Sequence, residues 1–126
     1  MSEQIHVDFK AMRDRAGPYR DEAFEFVRQG LSHTAGKVHG DLDSVTSRHV
    51  SGQQLCLGLR ELAVERYGRL ARTVLSRWGV TTTEDFGRIV FAMIDAGLLR
   101  KSDHDSLDDF SGVYEFDEAF DPETCS

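Results

Sequence analysis

Three apolar stripes of helical period follow one another between Val50 and Gly97, each with its own start or stop signal, and they commit this part of the chain to packed helices. The first begins at "HVSGQQL". Ser51 is placed to cap the first-turn amides, Gln54 three residues on reaches back to the cap, and Val50 and Leu55 stand at the offsets of a hydrophobic staple. Behind this start, Leu55, Leu59, Leu62 and Ala63 form one face. The pattern breaks near Gly68 and resumes with Leu70, Ala71, Val74, Leu75 and Trp78, after which Gly79 is placed as a left-handed stop. "VTTTEDF" opens the third stripe. Thr82 with Asp85, or Thr81 with Glu84, caps it, and Phe86, Ile89, Val90, Met93 and Ile94 line its core face. Gly97 ends it, with Leu98 folding back on Met93.

These signals predict helices over 52–66, 69–78 and 83–96. Upstream, Ile5, Phe9, Met12 and Ala16 predict a short helix stopped by "GP" at 17–18. Ala23, Phe26, Val27, Gly30, Leu31 and Thr34 predict a second over 21–34, which Gly30 weakens by about 1 kcal/mol relative to Ala. Residues 36–49, "GKVHGDLDSVTSRH", carry no periodicity and read as a polar surface loop. Downstream the period changes. "GLLRK" and "GVYEF" read as two strands of a hairpin around an acidic loop at 103–109, "DEAF" as one helical turn returning Phe120 to the body, and 121–126 as an unstructured end. The expected fold is mainly α, a single domain over 1–126 in which two N-terminal helices pack on a winged-helix-like three-helix unit followed by a small C-terminal β-hairpin.

A chain of 126 residues with 40% hydrophobic content fills one core. The run "IVFAMI" is far short of the roughly 20 apolar residues that span a bilayer, and "MSEQIHVDFK" has no apolar h-region. Cys56 lies in a helical stripe and Cys125 next to the end, so neither suggests a disulfide framework, and the expected compartment is the cytoplasm.

Net charge is −7 and unevenly spread: residues 103–126 hold nine acids and no Lys or Arg, leaving the rest at +2. That asymmetry bears on nucleic-acid binding. In a winged helix the third helix enters the major groove, yet its expected outward positions, Glu84, Asp85, Gly87, Arg88, Ala92 and Asp95, offer three acids to one Arg. Such a face repels phosphates. Arg60, Arg66, Arg69, Arg72 and Arg77 decorate the two preceding helices instead. Their plain reading is a solvated face with Glu61 and Glu65 nearby. The sharper one is a basic patch for an acidic partner or for the protein's own acidic tail.

Catalytic chemistry finds no signature: there is no G-x-S-x-G, no phosphate loop, and no local motif around either Cys. Asp103, Asp105 and Asp109 loosely follow a Ca²⁺ loop, but Asp108 replaces its glycine and Tyr114 its closing Glu. His39, Asp41 and Asp43 are the remaining metal candidates, without a supporting His or Cys pair. No cofactor is expected. His33 near the end of helix 21–34 reads as a dipole partner, and His49 as part of the turn before Ser51. Phe91, beside Gly87 and Ile94, widens the apolar face of helix 83–96, which is either covered by neighbouring elements or open to a partner. Phe110, Tyr114, Phe116 and Phe120 give the acidic segment too many aromatics for a disordered tail, so it is expected to fold on the body through Phe120.

The blocks "YRDEAFEFVRQGL", "HVSGQQLCLGLRELAVERYGRLARTVLSRWGV", "TTEDFGRIVFAMIDAGLLRKSDHDSLDDF" and "GVYEFDEAF" resemble a small family of conserved hypothetical proteins of planctomycete and verrucomicrobial bacteria, over residues 19–120. The resemblance implies a bacterial cytoplasmic protein of one domain, with 82–120 integrated in it. It carries over no activity, cofactor or catalytic residue.

Three functions follow as expectations. The first is a non-enzymatic interaction module that binds a protein partner through Arg88, Phe91, Asp95, Asp105, Asp108 and Asp109. The second is a nucleic-acid face on Arg66, Arg69 and Arg72 for which the acidic segment competes. The third is a metal-dependent enzyme using His39, Asp41 and Asp43. No membrane partner is expected, and the oligomeric state is left open.

Overall fold

The computed structural model describes residues 14, 17, 19–39, 50–97, 99 and 106–121. Apart from Asp14 and Leu99, the expected helix over 5–16 and the stretch 98–105 lie outside them, as do most of the polar loop and the end 122–126. The described chain is mainly helical: α1 Asp21–His39, α2 Gly52–Tyr67, a 3-10 turn Gly68–Leu70, α3 Ala71–Arg77, α4 Thr83–Asp95, a second 3-10 turn Leu107–Phe110, and a single-turn α5 Phe116–Ala119.

Local signals set the helix starts. Ser51 Oγ accepts from Gln54 N at 3.1 Å while Gln54 Oε1 accepts from Ser51 N at 3.0 Å, the expected capping box. Thr82 and Asp85 form the second. Gly79, at φ 94, ends α3 in the left-handed region that only glycine enters freely. Two expectations shift. α1 runs to His39, into what read as loop, so His33 is not at a helix end and its Nε2 pairs with Glu61 Oε1 at 3.3 Å. The second stripe is a 3-10 turn leading into seven α-helical residues rather than one helix.

Glycines fix how closely the helices approach. A Cβ on Gly30 of α1 would collide with the Leu59 side chain of α2, and one on Gly58 of α2 with the Thr34 side chain of α1. Each helix thus offers the other a missing side chain, and the cost of Gly30 to α1 is offset by contact with fully buried Leu59. Phe26, Tyr67 and Trp78 close the α1, α2, α3 corner, with the Phe26 and Trp78 centroids 5.6 Å apart and Tyr67 edge-on to Trp78 at 5.9 Å.

The C-terminal segment departs most from expectation. No strand is present among the described residues, and 112–116, expected as a hairpin strand, is a turn, an extended stretch and the first residue of α5. Contacts to other elements hold this segment instead. Ser106 and Asp109 form a capping box that tightens the acidic stretch into the 3-10 turn. Thr83 Oγ1 donates to Phe110 O at 2.6 Å and accepts from Val113 N at 3.2 Å. Tyr114 Oη donates to Cys56 O at 2.8 Å. The segment does fold on the body through Phe120, as its aromatics imply: Phe116 and Phe120 are buried with centroids 5.0 Å apart, and Phe116 lies 5.9 Å from Phe86 of α4.

Phe110 is the anchor. Its ring sits between Gly52 at the start of α2 and Gly87 of α4, where an added Cβ would come within 3.0 Å and 2.8 Å of it respectively. Phe110→Ala is therefore expected to cost about 3–5 kcal/mol in denaturant unfolding. Gly87→Ala gains about 1 kcal/mol of helix propensity but overpacks the ring by about 1–3 kcal/mol. It should destabilise the wild type and become neutral or stabilising in the Phe110→Ala background. A Gly87→Ala effect of the same sign and size in both backgrounds would remove Phe110 from this seat.

Candidate functional site

The turn between α3 and α4 holds the most developed polar site. Asp85, at N3 of α4, is buried, and its Oδ2 accepts from Thr81 N at 2.9 Å and Thr82 N at 3.1 Å. Its Oδ1 accepts from Tyr19 Oη and from Arg88 Nη1, the latter at 2.7 Å. Burial pulls the Asp85 pKa upward, but the donors Tyr19, Thr81 N and Thr82 N and the Arg88 charge outweigh it and hold the carboxyl below its ordinary value. Burial, then the bond to Asp85, pushes the Tyr19 hydroxyl up to about 12. The cluster ties the chain just before α1 to the start of α4.

The buried thiol of Cys56 is pushed up to about 12 by burial, with the Glu84 charge adding to it, and it is inert for the same reason. No group of three metal-ligating side chains occurs among the described residues. Of the metal candidates, His39 is the last residue of α1 and its side chain, with Asp41 and Asp43, lies outside the described residues.

The outward face of α4 differs from the one the periodicity suggested. Asp85, Gly87 and Ala92 are buried, covered by Tyr19, Phe110 and the core. The surface that remains is Glu84, Arg88, Phe91 and Asp95, spaced i, i+4, i+7 and i+11 along one side. Phe91 is half-buried, and its ring stands edge-on to Phe110 at 6.4 Å and 87°. Because Phe110 ends the 3-10 turn, exposed Asp108 and half-buried Asp109 belong to the element packed on α4. Asp109 Oδ2 accepts from Ser106 N at 3.3 Å, and Glu84 Oε2 accepts from Ser111 Oγ at 3.3 Å. Arg88, Phe91, Asp95, Asp108 and Asp109 thus lie on α4 and the turn that packs against it, whereas Asp105 lies outside the described residues.

Arg66, Arg69 and Arg72 are exposed on α2, the 3-10 turn and α3. Arg72 Nη1 pairs with Asp117 Oδ1 at 2.9 Å, and Arg60 Nε donates to Ala119 O at 3.1 Å, so the acidic segment does reach the arginine side of the protein. Sequence reasoning missed the Tyr19–Asp85 contact, which spans 66 residues: "TTTED" marked Asp85 as a cap, but nothing local marks Tyr19 as its donor. Among the described residues no helix is long and apolar enough to cross a membrane. No protein-family model, no curated protein and no solved structure matches the chain.

The cluster makes a pH prediction. Asp85 has a depressed folded-state pKa, so its contribution is fully present above the unfolded value near 4 and is lost as pH falls below it. Tyr19 has a raised one, so its contribution is present below pH 10 and is lost as pH rises toward about 12. Asp85→Asn should lower stability at pH 7 by about 1.5–3 kcal/mol and flatten the acid limb of a stability–pH curve, while Tyr19→Phe should flatten the alkaline limb. Unchanged limbs in both variants would show that the cluster does not couple folding to protonation.

Proposed function

We propose that the protein is a non-enzymatic interaction module that takes a protein partner on the outward face of α4 and the adjoining acidic 3-10 turn. The observation that carries this reading is Phe91: an aromatic ring left half-open on the same side of α4 as Glu84 and Asp95, and met edge-on by Phe110, the last residue of the acidic 3-10 turn. A rigid ring in acidic surroundings suits a partner segment that brings an apolar side chain bracketed by Lys or Arg, through burial, cation–π contact and charge complementarity. The order α2, α3, tight turn, α4 supports a winged-helix-like core for the module, without a groove-reading role for α4, since Phe110 and Tyr19 cover much of the face that would enter DNA. Membership of the bacterial family that the sequence blocks resemble, and a cytoplasmic location, belong to the same proposal.

A second reading, nucleic acid on Arg66, Arg69 and Arg72, is favoured by one observation, the seating of Asp117 on Arg72. Binding to a mixed DNA and RNA pool that falls steeply with salt separates it from the first.

Selection of displayed peptides on the purified protein tests the main reading. Enriched peptides should be basic with an apolar anchor, and Phe91→Ala should weaken them about tenfold, or about 1.4 kcal/mol. Asp108→Asn should weaken them less and reduce the salt dependence. A Phe91→Ala protein that unfolds several kcal/mol more easily identifies Phe91 as core, and selected peptides indifferent to both changes place the docking face elsewhere.

A further inference from the structure

A cleft of about 440 Å³ opens beside α3, lined by Arg72, Thr73, Ser76, Arg77, Val80, Thr81 and Phe116. It lies away from the Phe91 face and shares only Arg72 with the arginine face. The fold builds it from three pieces. Positions 72, 73, 76 and 77 share one side of α3, as the helical period requires. The glycine stop at Gly79 turns the chain so that Val80 and Thr81 form a second wall, and α5 brings in Phe116 as a third.

The lining has a consistent chemistry: two guanidinium groups, three hydroxyls, and an apolar floor of Val80 and Phe116, with no carboxylate among the residues that line it. The nearest buried acid, Asp85, lies behind Thr81, whose hydroxyl is 3.4 Å from Oδ2, and its charge is already met by Arg88 and backbone amides. Arginine forks and hydroxyls are the side-chain set that recognises phosphate oxygens, and the volume lies in the range of small-ligand sites. One anion already sits at the rim. Asp117, next to Phe116, holds Arg72 at 2.9 Å, and with side chains 51% and 77% exposed this pair is a weak, displaceable one.

We propose that this cleft binds a small phosphomonoester, with its phosphate on Arg72, Arg77 and the hydroxyls of Thr73 and Ser76 and its organic part on Val80 and Phe116. Asp117 is a built-in competitor whose carboxylate stands where a phosphate oxygen would go. A dianionic monoester displaces a single carboxylate from an exposed arginine, whereas the singly charged phosphodiester of a nucleic-acid backbone gains less from two convergent guanidinium groups.

The test is an amide chemical-shift titration of the full chain with phenyl phosphate, with inorganic phosphate, and with a ten-nucleotide oligothymidylate. Phenyl phosphate should shift the amides of 72–81 and 116–117 saturably and more tightly than inorganic phosphate, because only it reaches the apolar floor. Asp117→Asn should tighten binding about two- to five-fold, the range set by losing one exposed ion pair. Arg77→Gln should weaken it at least tenfold with unfolding temperature unchanged, and Arg77→Lys should restore part of the loss. The proposal is overturned if neither phosphate shifts these amides in wild type or Asp117→Asn, or if the shifts survive Arg77→Gln. It is also overturned if the oligonucleotide binds there and phenyl phosphate does not, since the site then reads a polymer backbone.

Discussion

Much of this structure depends on one ring pressed against two bare helix surfaces. Phe110 fits only because Gly52 and Gly87 present backbone where other residues would present Cβ atoms. Once seated, it brings its carbonyl to Thr83 Oγ1, and the same hydroxyl then receives Val113 N. That pair of bonds sets the path of the chain that follows and leads Tyr114, Phe116 and Phe120 over α2 and α4. Each proposed surface borders on this contact or on the segment it places. Phe91 is half-covered by Phe110 from one side, and Phe116 closes the cleft beside α3.

The same economy of small residues appears where α1 crosses α2. Gly30 against Leu59 and Gly58 against Thr34 bring two helices closer than ordinary side chains permit, at the expense of helix propensity on both. Asp85 supplies the polar counterpart. A carboxylate at N3 of a helix is usually half-solvated and worth a modest cap, but here it is buried and takes four donors from three stretches of chain. It thereby orients α4, the helix that carries the proposed docking face, relative to the chain entering α1.

The charge distribution takes on spatial meaning only in the folded chain. Asp117 and the Ala119 carbonyl meet Arg72 and Arg60, so part of the acidic segment faces the basic helices, while Asp109 lies against Gly52 at the start of α2 and Phe110 against Gly87 of α4. One run of acids therefore serves two surfaces. At α4 its 3-10 turn supplies Phe110, edge-on to Phe91; beside α3 its Asp117 holds Arg72 at the mouth of a cleft.

Signals that act within a few residues are legible in the amino-acid sequence itself. The capping boxes of α2 and α4, the left-handed stop at Gly79, the three core stripes and the folding of the aromatic segment onto the body follow from side-chain periodicity and from hydrogen bonds three or four residues long. The acid-rich tail and the cluster of arginines are likewise visible as composition. What the sequence does not reveal is set by contacts between distant parts of the chain. The strand expected at 112–116 does not form among the described residues, and its Val113 N goes to the hydroxyl of Thr83, 30 residues earlier. Gly87 reads as part of an open face and is a seat for Phe110; Asp85 reads as an outward acid and is buried beneath Tyr19. Local pattern determines which segments are helices and where they begin, because those energies are local. Which face is covered, which ring stays half-open and which arginines share a cleft are decided by tertiary packing, because each depends on a residue that only folding brings near.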